Sequence, residues 1–142
     1  MGWNTKYAFG CDELSADGIK AQVDLLVSSG LKDLGFKYVI VDDCWQARAR
    51  NEIGFLDADY NKFPNGFEEV SDYVHQNGLL IGITSDAGVK TCNGNPGSLT
   101  YEAEDVDLWN RWNIDYVKYG NCNNRGVPAL ERYQYMANLI QS

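Results

Sequence analysis

Three short apolar runs constrain this chain more than any other feature, because none alternates between apolar and polar residues. Phe36–Val41 and Leu79–Thr84 are near-continuous, and Tyr116–Tyr119 sets aromatic and β-branched residues around a single lysine. A strand with one face in water alternates, whereas a strand of a parallel sheet is covered on both faces and reads as unbroken. Between the runs, apolar residues recur at helical spacing. Ser15 caps a first helix carrying Ile19, Val23, Leu26, Val27, Gly30 and Leu34, and Gly35 stops it. Asn65 with Glu68 resembles a capping box for a second, with Phe67, Val70 and Val74 on its apolar face and Gly78 at its end. Ser98 or Thr100 starts a third, through Val106 and Trp109 to Asn113. Pro128 fits the first turn of a fourth, with Ala129, Tyr133, Met136, Ala137 and Ile140 on one face. Met1–Asn4 is a short apolar start, and a loop runs from it to Glu13.

Strand, long loop, helix and short turn follow one another four times. Strands alternating with helices build right-handed βαβ units and a parallel sheet. Every long loop follows a strand and every short turn follows a helix, the asymmetry of a β/α barrel of TIM type, whose site-bearing loops lie at the strands' C-terminal face. A complete barrel takes roughly 250 residues. Four units in 142 residues therefore predict a half-barrel, residues 1–142 forming one domain with no linker and no repeat. A small doubly wound sheet is the alternative, weakened by the lack of a Gly-rich phosphate turn after the first strand.

Twelve basic against twenty acidic residues give a net charge of −8, which argues against nucleic-acid partners. No apolar run is long enough to cross a membrane. No basic-then-apolar leader precedes Met1, so the reading is that any signal peptide has been removed or was never included. The one histidine, His75, lies in a helical stretch and reads as an ordinary surface residue, which leaves neither a His-based triad nor a His-rich metal site. Cys11, Cys44, Cys92 and Cys122 show no C-x-x-C spacing. Sequential pairing would staple neighbouring loops and imply an oxidising compartment, and four free buried thiols is the competing reading.

The strand ends collect the polar residues: Asp42 and Asp43, then Asp86, then Lys118 with Gly120. A lysine inside a strand is costly to bury unless it meets a carboxylate or a ligand, so Lys118 reads equally as a core ion pair or as part of a site. Adjacent strand residues face opposite ways, so a loop must begin between Asp42 and Asp43 if both enter a site. Such a pair suits a hard cation, acid/base work or a polyhydroxylated ligand. Without further convergent acids the metal reading is thin, and no cofactor is implied. Trp45 beside the pair favours a sugar, because carbohydrate sites combine carboxylates with aromatic faces.

Several motifs then occur in register: Met1-Gly2-Trp3-Asn4, Val41-Asp42-Asp43-Cys44-Trp45, Lys62-Phe63-Pro64-Asn65-Gly66, Ser85-Asp86-Ala87-Gly88, Lys90-Thr91-Cys92-Asn93-Gly94, Pro96-Gly97-Ser98-Leu99 and Asp115-Tyr116-Val117-Lys118-Tyr119. Over essentially its whole length the chain resembles the N-terminal half of the catalytic (β/α)₈ barrel of glycoside hydrolase family 27 α-galactosidases (melibiases). The resemblance implies retaining hydrolysis of terminal α-galactosides by an Asp nucleophile and a separate Asp acid/base. It implies that Asp42, Asp43 and Lys118 hold sugar hydroxyls, with Cys92, Lys6 and Thr84 also at substrate-facing positions. It pairs Cys11 with Cys44 and Cys92 with Cys122, and suggests a secreted, lysosomal or vacuolar enzyme of carbohydrate metabolism.

The departures are as informative. The family nucleophile falls at Gly120, which has no carboxylate, so no catalytic residue is assigned. The family's second tryptophan falls at Lys6, its third-strand tyrosine at Thr84, and an Arg-Asp pair reads Arg50-Asn51. The acid/base falls beyond Ser142. The expectation is an α-galactosidase-family domain fragment that cannot complete hydrolysis. The alternatives are a binding module for a galactose-like sugar, or a structural or engineered half-barrel that assembles or hosts rebuilt chemistry. Expected partners are the sugar and either a homodimer mate or a complementing C-terminal half-barrel.

Overall fold

In the computed structural model, which describes residues 1–142, the apolar runs become neighbours in one parallel sheet. The strands are β1 (Gly2–Asn4), β2 (Tyr38–Val41), β3 (Leu80–Asp86) and β4 (Tyr116–Gly120), adjacent in chain order. The helices are α1 (Lys6–Phe9), α2 (Ala16–Ser28), α3 (Glu68–Gln76), α4 (Glu102–Arg111) and α5 (Ala129–Gln141). Ile40 pairs with Gly82, and Thr84 with Lys118, so both register and direction are those of successive βα units. The sheet is open, with β1 and β4 at its edges.

The two faces of the sheet differ. Val39, Val41, Ile81 and Ile83 are wholly buried and pack into one core with Ile19, Val23, Val70, Val74, Trp109 and Met136 of the helices. The other face carries Gly2, Tyr38, Ile40 and Tyr116, and nothing packs across it. Tyr38 and Tyr116 meet edge to face with centroids 6.0 Å apart. Gly82 lies between their strands, where a Cβ would press within 3.0 Å of the Tyr116 ring and 3.1 Å of Ile40. The run at Tyr38–Val41 is therefore buried on one face and half-buried on the other, not on both as its lack of alternation predicts. An apolar inner face is what a barrel lumen requires, and an open sheet leaves it wet.

Helix boundaries follow tertiary contacts more than local signals. Ser15 caps α2 as predicted, its Oγ accepting from Gly18 N at 3.1 Å. The helix stops at Ser28 and not at Gly35, because Gly30 turns left-handed (φ 79°), which leaves Val27 and Leu34 exposed. A short helix, α1, interrupts the predicted loop to Glu13. No capping box starts α3: Phe67 precedes it with helical angles, and Asn65 reaches Glu69 Oε2 at 3.3 Å instead. Phe67 stacks on Trp112 (5.2 Å), and that packing sets where the helix begins. Neither Ser98 nor Thr100 caps α4, since Ser98 Oγ is 2.6 Å from Ser85 Oγ and Thr100 stands at φ 77°. On α5 the buried side chains are Arg132 and Met136; of the predicted face only Met136 is buried, and Ala129, Tyr133, Ala137 and Ile140 are exposed. Arg132 turns inward because its guanidinium donates to Val127 O, Ala87 O and Asn121 Oδ1. His75 is no idle surface residue: its ring nitrogen lies 2.7 Å from Asp115 Oδ2, tying α3 to the approach of β4.

Candidate functional site

The inner face reaches the C-terminal ends of the strands as a row of polar side chains. Register sets Thr84 of β3 beside Lys118 of β4, with Asp86 and Gly120 paired two residues on, and Asp42 follows directly on the end of β2. Lys118 Nζ reaches across Thr84 to Asp42 Oδ2 at 2.6 Å. Asn4 Nδ2 donates to the same oxygen at 2.9 Å, and Asp43 N to Asp42 Oδ1 at 2.9 Å. Burial alone would raise the Asp42 pKa. The Lys118 hydrogen bond, the Asp43 and Asn4 donors and the Lys118 charge outweigh it and hold the carboxyl below its ordinary value. The core-pair and site readings of Lys118 thus coincide, because its partner acid stands at the strand ends. The Thr84 hydroxyl beneath the pair is buried and has no partner.

The chain leaves β2 after Val41, where the apolar run ends, so neither Asp42 nor Asp43 is bound by strand alternation and both line one cleft. Cys44 takes φ 77° to make the turn, and its N–H donates to Asp43 Oδ1 at 2.8 Å. Asn95 Nδ2 donates to that oxygen at 3.1 Å, and Asn93 Nδ2 to Asp43 Oδ2 at 2.9 Å. Asp42 and Asp43 line one cleft of ≈ 300 Å³ with Lys6, Tyr7, Gly10, Cys11 and Asn93. Two disulfides staple its surroundings, Cys11–Cys44 and Cys92–Cys122, each with Cα atoms 5.3 Å apart. Cys92 itself is exposed and lies outside the cleft lining.

Trp45 does not serve as an aromatic face. It is wholly buried, edge to face against Phe67 (5.4 Å) and Trp112 (5.7 Å), with Nε1 donating to Thr84 O at 2.8 Å. Arg50 and Asn51 are also structural. Arg50 clamps Asp105 through two hydrogen bonds of 2.6 and 2.7 Å, and Asn51 Oδ1 accepts from Ile53 N and Phe55 N.

Gly120 leaves no void. A Cβ there would run into Asp86 Oδ2, so the neighbouring carboxylate occupies the place where a side chain at 120 would begin. Asp86 is 2% exposed, and its Oδ1 accepts from Gly88 N (2.8 Å) and Cys122 N (2.9 Å). Burial raises its pKa against the pull of those N–H groups and of Arg132, and the Asp43 charge pushes the same way as burial. Asp86 also lies near the Cys92 and Cys122 sulfurs, but these are bonded to each other and offer no thiolate to a metal.

Residues 5–142 match the family described as Alpha galactosidase A (Melibiase_2). The chain belongs to the α-galactosidase family. Alpha-galactosidase 3 of Arabidopsis thaliana is 45% identical over the whole chain, which spans 32% of that relative. Among solved structures, α-galactosidase I from Mortierella vinacea superposes with a TM-score of 0.96 at 44% identity over 99% of this chain and 36% of that one. The Saccharomyces cerevisiae α-galactosidase with raffinose gives 0.95 at 42% identity, over 99% of this chain and 32% of that one. The chain thus spans about a third of the length of these α-galactosidases, and its open sheet is a partial β/α barrel.

Sequence reasoning singled out Asp42, Asp43, Lys118, Lys6, Thr84 and Cys92, and the fold gathers the first five at one sheet end while Cys92 stays outside the cleft lining. It missed Asn93, Asn95 and Tyr7. The Asn- and Gly-rich stretch after β3 was the available signal for the first two, since Asx side chains recur wherever a loop must supply its own hydrogen bonds.

Proposed function

We propose that this chain is the sugar-holding part of an α-galactosidase-family catalytic domain, one that binds terminal α-galactosides and does not hydrolyse them on its own. The observation that carries this is the strand-end cluster: Lys118 bound to Asp42, and Asp43 held by Asn93, Asn95 and Cys44 N, over one cleft. Two carboxyl groups, a lysine and two amides form an alternating set of acceptors and donors, the chemistry that reads vicinal hydroxyls. A hydroxyl beside the pair can donate to Asp42 and accept from Lys118 while their direct 2.6 Å contact stays in place.

Retaining hydrolysis needs two carboxyl groups roughly 5 Å apart across the scissile bond. By resemblance, one belongs at Gly120 and the other beyond Ser142, and Asp86 is tied to the backbone of the Cys122 loop. Calorimetric titration with galactose tests the reading. Saturable heat is expected for the chain and none for Asp42→Asn, together with no turnover of an aryl α-galactoside. Turnover with saturable kinetics would show that another residue pair performs the chemistry.

The chain as one domain, residues 1–142, also has a surface to cover. The open edges β1 and β4 and the apolar inner face around Tyr38, Ile40 and Tyr116 are association surfaces. They suit a homodimer that closes an eight-stranded barrel, or a complementing C-terminal half. Sedimentation at micromolar concentration decides: a stable monomer counts against both. Two disulfides fit an oxidising compartment, and a secreted, lysosomal or vacuolar location is the corresponding proposal. No helix is long and apolar enough to cross a membrane.

A further inference from the structure

A hexose has a rim of hydroxyls and a face of C–H groups. Asp42, Asp43 and Asn93 can meet only the rim. The aromatic partner that the sequence suggests, Trp45, is locked in the core. The same cleft nevertheless has an aromatic wall. Tyr7, on α1, lines it together with the acids and is 91% exposed, the most exposed large apolar side chain of the molecule.

The backbone that carries Tyr7 is fastened to Asp42 itself. Thr5 N donates to Ile40 O at 3.0 Å, and Asp42 N donates to Thr5 Oγ1 at 2.9 Å. Lys6 N donates to Asn4 Oδ1 at 2.8 Å, while Asn4 Nδ2 holds Asp42. Phe9, at the far end of α1, packs edge to face on Trp3 (5.8 Å), and the Cys11–Cys44 bridge closes the turn behind it. The backbone that presents the ring and the Asp42 carboxylate are therefore tied together, which fixes where the ring starts from relative to the acids. Lys6 Nζ stands 5.8 Å from the Tyr7 centroid, at the limit of cation–π reach, and leaves the ring open to solvent.

We infer that Tyr7 is the stacking platform for the apolar face of the hexose whose hydroxyls Asp42 and Asp43 hold. Tyrosine suits this task because it offers a large, rigid amphipathic surface with little rotamer entropy to lose. The inference rests on the proposed sugar site and adds to it the side chain that selects a flat hexose face over an open-chain polyol.

The test titrates the chain with galactose, followed by amide chemical shifts, and compares Tyr7→Ala, Tyr7→Phe and Asp42→Asn. Tyr7→Ala should bind about tenfold more weakly, the usual size of truncating an aromatic anchor. Tyr7→Phe should stay within about twofold, since stacking needs the ring and not the hydroxyl. An unchanged melting temperature is expected for both, because the side chain is almost wholly in water. If Asp42→Asn abolishes binding while Tyr7→Ala matches the wild type, the platform is refuted and the sugar site stands. If Tyr7→Ala and Tyr7→Phe weaken binding equally, Tyr7 acts through its hydroxyl and the stacking inference fails. If the wild type does not bind galactose, the sugar site fails and takes the platform with it.

Discussion

Replacing Gly120 with a carboxylate looks at first like a repair, but the structure predicts that Gly120→Asp costs stability before it can do chemistry. A Cβ at 120 meets Asp86 Oδ2, so Asp86 must swing aside. Its Oδ1 can keep the Gly88 and Cys122 N–H groups, and only the 3.1 Å contact of Oδ2 with Cys122 N is given up. One lost arm of a bifurcated N–H–carboxylate contact plus local overpacking is worth about 1–3 kcal/mol, reduced by the roughly 0.4–1 kcal/mol that removing a glycine takes from the unfolded chain. The new side chain also places a second negative charge beside a buried one. Two unit charges ~4 Å apart repel by at most about 4 kcal/mol at the effective dielectric of such sites, and proton uptake relieves part of it. Gly120→Asp should therefore destabilise by about 2–4 kcal/mol at pH 7, and Gly120→Asn, of the same size without the charge, by about 1–2 kcal/mol.

The pH dependence has a definite sign. Asp86 already has a raised pKa, and a neighbouring carboxylate raises it further. A raised folded-state pKa contributes stability that is complete below the unfolded value, near 4, and is lost as pH rises through the folded value. The gap between the Asp and Asn variants should thus be wide at pH 7 and close toward pH 4. Urea unfolding of the three proteins at both pH values measures it. Wild-type stability for Gly120→Asp at pH 7 would refute the argument, because it would mean that Asp86 does not hold that space.

Arg50→Ala should be the most destabilising exchange in the loops, by about 3–5 kcal/mol in urea unfolding, since it leaves the fully buried Asp105 carboxylate without its partner. Asp42 has a lowered pKa, so it adds stability that is present above the unfolded value near 4 and lost as pH falls through the lowered folded value. Lys118→Met removes the strongest lowering causes, and its acid-unfolding midpoint should move to higher pH; an unmoved midpoint would show that the ion pair contributes nothing. Each disulfide closes a loop of about thirty residues, for which chain entropy gives roughly 3–4 kcal/mol. Reduction should lower the unfolding midpoint accordingly, and peptide mapping of the oxidised protein should recover both bridges.

The local order of this chain was legible in its residues. Unbroken apolar runs, helical periodicity and the long-after-strand, short-after-helix rhythm point to a parallel β/α arrangement, because helices that follow each strand cover one face of the sheet and the apolar second face suits a barrel lumen. The chemistry-bearing positions Asp42, Asp43 and Lys118 were legible too, as polar residues stranded at the ends of those runs. Tertiary structure alone decided what each does. Trp45, beside the acids in sequence, belongs to the core because Phe67 and Trp112 enclose it, while Tyr7, in a stretch without signal, stands in the cleft. Glycine at 120 reads as a missing group, yet strand register brings Asp86 into its place. Arg132 reads as helix surface and is a buried clamp, because three acceptors from two loops converge on it. Periodicity records which face of one element avoids water. It holds no record of which side chains distant segments bring to that face, and in a parallel sheet with long strand-end loops most of the site is of that second kind.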